Sequence, residues 1–272
     1  MCLIAFAIEA TPACPLLIAA NRDEFFDRPT AALHRWTREG DAGVWAGRDL
    51  RDGGTWLGVS ESGRVAMLTN VRSAQVGPGA RSRGELAARW LQDDGSLDAL
   101  MRHIDPAAYG GFNLVVGDVR SGDWVWLGNR NPQHPHREGE AACLHQRRLG
   151  PGVYGLSNAA LDTPWPKTRR LKEAMGLALT QPGDWLAPLS EALADDTPAC
   201  GDELPDTGVP KDLETGLSSP FVRLPEHGYG TRSSLVLRVW PGESGQRVEL
   251  HEWTHAPQGW SAESRVSQHL HW

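Results

Sequence analysis

The sequence predicts an α+β protein built mainly from antiparallel sheets. Three observations carry this. Pairs of short apolar runs joined by turn-forming residues recur along the 272 residues, stretches with helical spacing interrupt them, and neither a composition shift nor a fixed-period repeat divides the chain. Leu3–Ile8 and Leu16–Ala20 are apolar on both faces and flank the segment from Glu9 to Pro15, whose prolines Pro12 and Pro15 mark a turn. This reads as a hairpin of strands covered on both sides. Thr55–Ser60 and Arg64–Asn70, joined by Glu61-Ser62-Gly63, form a second hairpin. Arg83–Leu91 places Leu86, Ala87, Trp90 and Leu91 on one helical face, with Ser82 as N-cap and Glu85 at the capping-box position. Phe112–Asp118 and Asp123–Gly128 make a third hairpin around Arg120-Ser121-Gly122. Pro166–Leu179 is a second helix that begins with proline, where the missing N–H costs nothing. Ser233–Trp240 and Arg247–Trp253 form the last hairpin. Residues 196–220, rich in Pro, Gly, Asp and Thr with little periodicity, read as an irregular loop or insertion within one domain spanning 1–272.

Composition narrows the function classes. With 40% hydrophobic and 22% charged residues the chain is that of a globular protein, and a net charge of −7 disfavours a nucleic-acid surface. No apolar stretch approaches the roughly 20 residues of a membrane helix. Leu3–Ile8 is too short for a secretory signal and lacks a basic flank, so a cytoplasmic protein is expected. The four cysteines, Cys2, Cys14, Cys143 and Cys200, include no C-x-x-C pair and read as thiols.

Cys2 directly follows Met1. Loss of Met1 leaves one residue with both a thiol and an α-amine, a nucleophile with its own base, because such an amine titrates near pH 7.7–8.0. The plainer reading is a small apolar residue opening an edge strand. The second apolar run ends in Asn21-Arg22-Asp23-Glu24. Alternation puts Asn21 and Asp23 on one face and Arg22 on the other. An Asp beside the Cys2 terminus holds its amine by a charge-assisted hydrogen bond, whereas the plainer reading is a polar turn with a surface ion pair. Trp36, Trp45 and Trp56 with Phe25 and Phe26 read either as core or as the wall of a flat apolar pocket. Cys14-Pro15 reads as a turn with a buried Cys. His134 and His136 lack a companion at metal-site spacing, and the ten His residues read as surface groups. Gly53-Gly54 precedes a strand and is no phosphate cradle.

Cys2, the apolar strand and the Asn-Arg-Asp-Glu quartet together resemble the NRDE family, also called the transport and Golgi organisation 2 family. The resemblance continues through Phe26-Asp27-Arg28-Pro29, Trp45-Ala46-Gly47-Arg48-Asp49, Gly53-Gly54-Thr55-Trp56-Leu57-Gly58, Thr69-Asn70-Val71-Arg72, Ser82-Arg83-Gly84, Gly111-Phe112-Asn113-Leu114, Leu156-Ser157-Asn158 and Tyr229-Gly230-Thr231-Arg232-Ser233-Ser234. It implies a four-layer αββα sandwich of two mainly antiparallel sheets, the fold of N-terminal-nucleophile hydrolases. A more distant resemblance is to their cysteine branch of bile-salt hydrolases and penicillin V acylases. By that likeness Cys2 is the nucleophile, Asp23 holds its amine, Asn70 and Asn158 lie near the oxyanion, and Arg232 lies near the nucleophile. Asn21, Arg22, Trp45 and Trp56 are expected to bind substrate. One departure stands out: that branch carries Arg immediately before the strand-end Asn, where this chain has Ala20.

Two functions follow. The first is a cysteine amidohydrolase or acyltransferase acting on a small acylated molecule, with no cofactor. The second, from the family's association with haem and lipid trafficking, is a binding protein on the same scaffold with haem or a lipid as ligand.

Overall fold

The computed structural model describes residues 2–36, 43–74, 77, 79–137, 139–181, 183–243 and 245–272. Met1, on whose removal the N-terminal reading depends, lies outside them. In chain order the strands are β1 (Cys2–Thr11), β2 (Cys14–Phe25), β3 (Thr30–Arg35), β4 (Val44–Asp49), β5 (Leu57–Ser60), β6 (Arg64–Asn70), β7 (Phe112–Asp118), β8 (Asp123–Gly128), β9 (His145–Arg148), β10 (Gly152–Leu156), β11 (Arg223–Leu224), β12 (Tyr229–Pro241), β13 (Gln246–Thr254) and β14 (Arg265–His271). The α-helices are α1 (Gly84–Gln92), α2 (Leu97–Arg102), α3 (Pro166–Thr180), α4 (Ala187–Ala194) and α5 (Lys211–Gly216). The class is α+β with two antiparallel sheets, as the hairpin pattern predicts.

The chain forms two compact units. The first comprises Met1–Asp27, Gly150–Ser157 and Asp162–Trp272. Its sheet runs β10-β1-β2-β12-β13-β14, with β11 paired to β12. Leu3, Ala5 and Ala7 of β1 and Leu17 and Ala19 of β2 pack against Leu171, Ala174 and Met175 of α3 and Leu189 and Leu193 of α4. The alternate residues Ile4, Phe6, Ile18 and Ala20 are also buried, which is why both runs are apolar on both faces. Each large side chain so enclosed contributes about 1.5–3 kcal/mol.

At the edge strand β10, α3 approaches so closely that a Cβ on Gly155 would lie 2.4 Å from Thr168 Cγ2 and 2.9 Å from Lys172 Cδ. Asp162, at φ 60°, covers this open edge. Its Oδ1 accepts from the Gly155 N–H at 2.8 Å and its own N–H donates to the Gly155 carbonyl at 2.8 Å. Gly155→Val is expected to cost about 1–3 kcal/mol by overpacking. The check is a lower urea midpoint with unchanged slope; an unchanged midpoint would show that the helix gives way freely.

The second unit comprises Arg28–Leu149 and Asn158–Leu161. Its sheet runs β3-β4-β5-β6-β7-β8-β9. The predicted face of α1, Leu86, Ala87, Trp90 and Leu91, packs with Ala66, Leu68, Leu114 and Val116 of the sheet.

β2 carries the polar quartet at its end, as the alternation of Asn21, Arg22 and Asp23 requires, and runs one residue further to Phe25, because β12 pairs with it as far as Tyr229–Phe25 and satisfies its backbone. Two local expectations change. Helix α1 begins after Arg83, which makes no side-chain cap. Glu85 instead accepts from the Tyr109 hydroxyl and pairs with Arg81 at 2.6 Å, so its carboxylate is unavailable for a capping box. The segment 196–220 contains the short helix α5.

Candidate active site

The register of three strands assembles the first cluster. β1 and β2 pair Cys2 with Arg22 and Leu3 with Asn21. β12 extends these rungs, pairing Ser233 with Arg22, Ser234 with Asn21 and Thr231 with Asp23. Directly paired residues project from the same face of a sheet. Cys2, Arg22 and Ser233 therefore share one face, while Leu3, Asn21 and Ser234 share the other. Arg22 does face away from Asn21, as alternation requires, and this brings it onto the side of Cys2.

Cys2 is buried at 7% exposure, and its carbonyl accepts from Ser157 Oγ at 3.1 Å. Burial pushes its thiol above the usual range, so it rests protonated near neutral pH. Asp23 lies one position beyond the partner of Cys2, where an antiparallel register directs the N side of Cys2. Its charge also raises the thiol's proton affinity. The Asp23 carboxylate is set by Thr231, whose hydroxyl donates to Oδ1 at 2.8 Å, and its carbonyl accepts from the Tyr229 hydroxyl at 3.0 Å.

Asn21 is a clamp between strand and helix. Its amide donates to the carbonyls of Leu193, at the end of α4, and Pro220, at 2.8 and 2.9 Å. Its oxygen accepts from Ser234 Oγ at 2.5 Å. Ser234 in turn lies 2.9 Å from His255 Nε2, and His255 Nδ1 accepts from the Ser261 N–H at 3.2 Å. With Nδ1 an acceptor, Nε2 carries the proton and donates to Ser234. Burial pulls the His255 pKa down to about 4, so the ring is neutral. Ser234 and His255 have the spacing of a nucleophile–base pair, but Ser234 is fully enclosed and its proton is committed to Asn21. His251 is likewise buried, and its Nε2 sits 2.7 Å from Glu249 Oε1. These two imidazoles correct the expectation that the His residues are surface groups; His251 lies against Trp185 and Trp253, and His255 against Phe221 and Trp260, contexts set by tertiary packing.

Arg232 enters through a β-bulge. The pairing of β12 with β2 steps from Thr231–Asp23 to Ser233–Arg22, so Arg232 is an extra residue on its strand. Its Nη1 donates to the carbonyls of Phe25 and Phe26 at 2.9 and 3.0 Å. Burial, with the nearby Arg22 charge, lowers its proton affinity.

Asn70 and Asn158 meet within the second unit. Asn158 is fully buried, and its amide donates to the carbonyl and to Oδ1 of Asn70 at 2.9 and 3.1 Å. Nearby, Asn113 donates to Thr69 Oγ1 at 3.2 Å and to the Ala159 carbonyl at 2.7 Å, which steadies the end of β6. Of the tryptophans in this unit, Trp36 belongs to the core with Val44 and Ala46. Trp45 alternates to the opposite face and donates to Glu61 at 3.4 Å, so these two rings wall no common pocket. Trp56 is buried at 8% exposure.

Sequence reasoning placed Cys2, Asn21, Arg22, Asp23 and Arg232 without their supports. Thr231, Ser234 and Ser157 stand inside motif blocks already quoted, and their hydroxyls at strand ends were the available signal. His255 carries none beyond its position after a strand. His136 Nδ1 sits 2.8 Å from the Arg72 carbonyl, and among the described residues no group of three or more His, Cys, Asp or Glu is placed to hold a metal. No helix among them is long and apolar enough to cross a membrane.

The family model "Transport and Golgi organisation 2" matches residues 1–256. Similar proteins include the transport and Golgi organization protein 2 homologs of Bos taurus and Homo sapiens, each 34% identical over 263 residues and covering 88% of both chains. The Drosophila melanogaster protein is 27% identical over 261 residues, covering 88% of both chains. Among solved structures, the chain is similar to the Caenorhabditis elegans N-acylethanolamine-hydrolyzing acid amidase ortholog, with a TM-score of 0.48, 10% identity, and 87% and 92% of the two chains covered. It is also similar to a mutant conjugated bile acid hydrolase from Clostridium perfringens, with a TM-score of 0.43, 10% identity, and 98% and 96% covered. Structural likeness at these scores bears no weight for the chemistry.

Proposed function

For a chain that belongs to the transport and Golgi organisation 2 family, we propose an N-terminal-nucleophile amidohydrolase activity on a small acylated molecule, with Cys2 as nucleophile. The observation that supports this reading most is the buried Cys2 at the start of β1, with the Thr231-held carboxylate of Asp23 one position beyond its strand partner. A thiol kept protonated by burial requires a base at hand, and the α-amine released by loss of Met1 is that base. In the first step the amine takes the thiol proton, sulfur bonds to the amide carbon, and the C–N bond breaks as the leaving amine receives that proton. Water then cleaves the thioester, releasing the acid and restoring the thiol. Asp23 steadies the ammonium form in between. For Asn70 and Asn158 the oxyanion role carries over from the resemblance as a proposal, and within their own unit the Asn158 amide holds Asn70 through its carbonyl and Oδ1.

The test is hydrolysis of a panel of N-acyl amides by protein whose loss of Met1 is verified by intact mass, alongside haem titration. Turnover of at least one amide is expected. Absence of turnover together with tight haem binding would replace this reading by that of a carrier.

A further inference from the structure

We propose that Arg22 is the cation that stabilises the Cys2 sulfur as a thiolate, with Glu24 as an acidic counterweight that draws its guanidinium aside. This rests on the reading of Cys2 as nucleophile. Arg22 is the direct cross-strand partner of Cys2, on the same face of the sheet. Its side chain is only 8% exposed, so water does little to screen its charge from a buried sulfur. Glu24, two residues along the same strand and on the same face, holds Arg22 Nη2 at 3.5 Å and is 23% exposed.

The charged groups acting on Cys2 divide cleanly. From β2, Arg22 favours the anion while Asp23 and Glu24 oppose it. Next to the end of β10, Ser157 contributes a neutral hydroxyl to the Cys2 carbonyl. From β12, Arg232 stands close enough to Arg22 for the Arg22 charge to lower its proton affinity. Burial keeps the thiol protonated at rest, and the cation on the facing strand selectively stabilises the species formed once the proton leaves for the amine. Adjacent residues of opposite sign thus set the balance, and substitutions at the two should move it in opposite directions.

The experiment follows alkylation of Cys2 by iodoacetamide against pH, reading the Cys2-containing peptide by mass so that Cys14, Cys143 and Cys200 do not interfere. All variants carry the same verified terminus, and far-UV circular dichroism confirms the fold. Arg22→Gln is expected to raise the midpoint by about one unit and slow the reaction near pH 7 by about tenfold. Glu24→Gln is expected to lower the midpoint, and Arg22→Lys to restore most of the loss. Shifts of the same sign for the two glutamine variants, no shift for either, or a Lys variant as impaired as the Gln variant would overturn the proposal. If Arg22→Gln does not fold, the sign of the Glu24→Gln shift decides it alone. Alkylation requires no substrate, so opposed shifts without amide turnover would retain the role of Arg22 and remove the hydrolase reading; turnover without opposed shifts would do the reverse.

Discussion

Cys2→Ala is expected to abolish acyl transfer, a loss on the order of 10³-fold or more, while the protein stays folded. Only one sulfur leaves the site, and the backbone bond from Ser157 to the Cys2 carbonyl is untouched. The stability cost is therefore on the order of 1 kcal/mol. Cys2→Ser keeps nearly the same size but offers a far weaker nucleophile near neutral pH, so it should retain the fold and lose most of the rate. The measurement is turnover of an active N-acyl amide by wild type and both variants with equal terminal processing, together with the mass of any trapped acyl-enzyme. Turnover that persists in Cys2→Ala would remove Cys2 from the mechanism whatever the substrate.

Acid should destabilise the fold through His255, by about 3 kcal/mol between pH 6.5 and pH 4. In the fold its pKa is held at about 4 by burial; in the unfolded chain it returns to about 6.5. Between these values the unfolded state binds the extra proton, so stability rises with pH across the window and falls as pH drops through it. Protonation also removes the acceptor at Nδ1 that satisfies the Ser261 N–H. His255→Gln places a permanently neutral amide there. Its stability relative to wild type, from urea denaturation at several pH values, should improve steadily from pH 7 to pH 4. His251, also depressed by burial, is present in both proteins and cancels. A stability difference independent of pH would show that His255 titrates normally in the fold.

The sheets were legible where sequence and burial agree. Phe112–Asp118 and Asp123–Gly128 appear with their expected bounds, because alternation, β-propensity and the Arg120-Ser121-Gly122 turn all point the same way. The strands that escaped notice lack that agreement. β10 reads Gly-Val-Tyr-Gly-Leu, and its glycine at 155 answers to the approach of α3. β14 alternates polar residues on an edge, and its pairing to β13 is a tertiary fact. At the candidate site, residue types singled out Cys2 and Asp23, but the face that Arg22 shares with Cys2 depends on strand register. The Asn21–Ser234–His255 chain joins positions 213 and 21 residues apart, a separation that no local pattern encodes.

The bulge in β12 makes one cation separable from the scaffold that carries it. Removing a residue from the middle of a strand normally reverses every side chain beyond the deletion. Position 232 escapes this, because Thr231–Asp23 and Ser233–Arg22 are already successive rungs of the ladder. A single-codon deletion there would close the ladder and leave Ser233, Ser234 and the rest of β12 on their present faces. A gene can therefore gain or lose this guanidinium in one insertion or deletion step, without passing through a scrambled sheet. Lineages built on the same strands can differ in the charge carried at this bulge more readily than in the strands themselves.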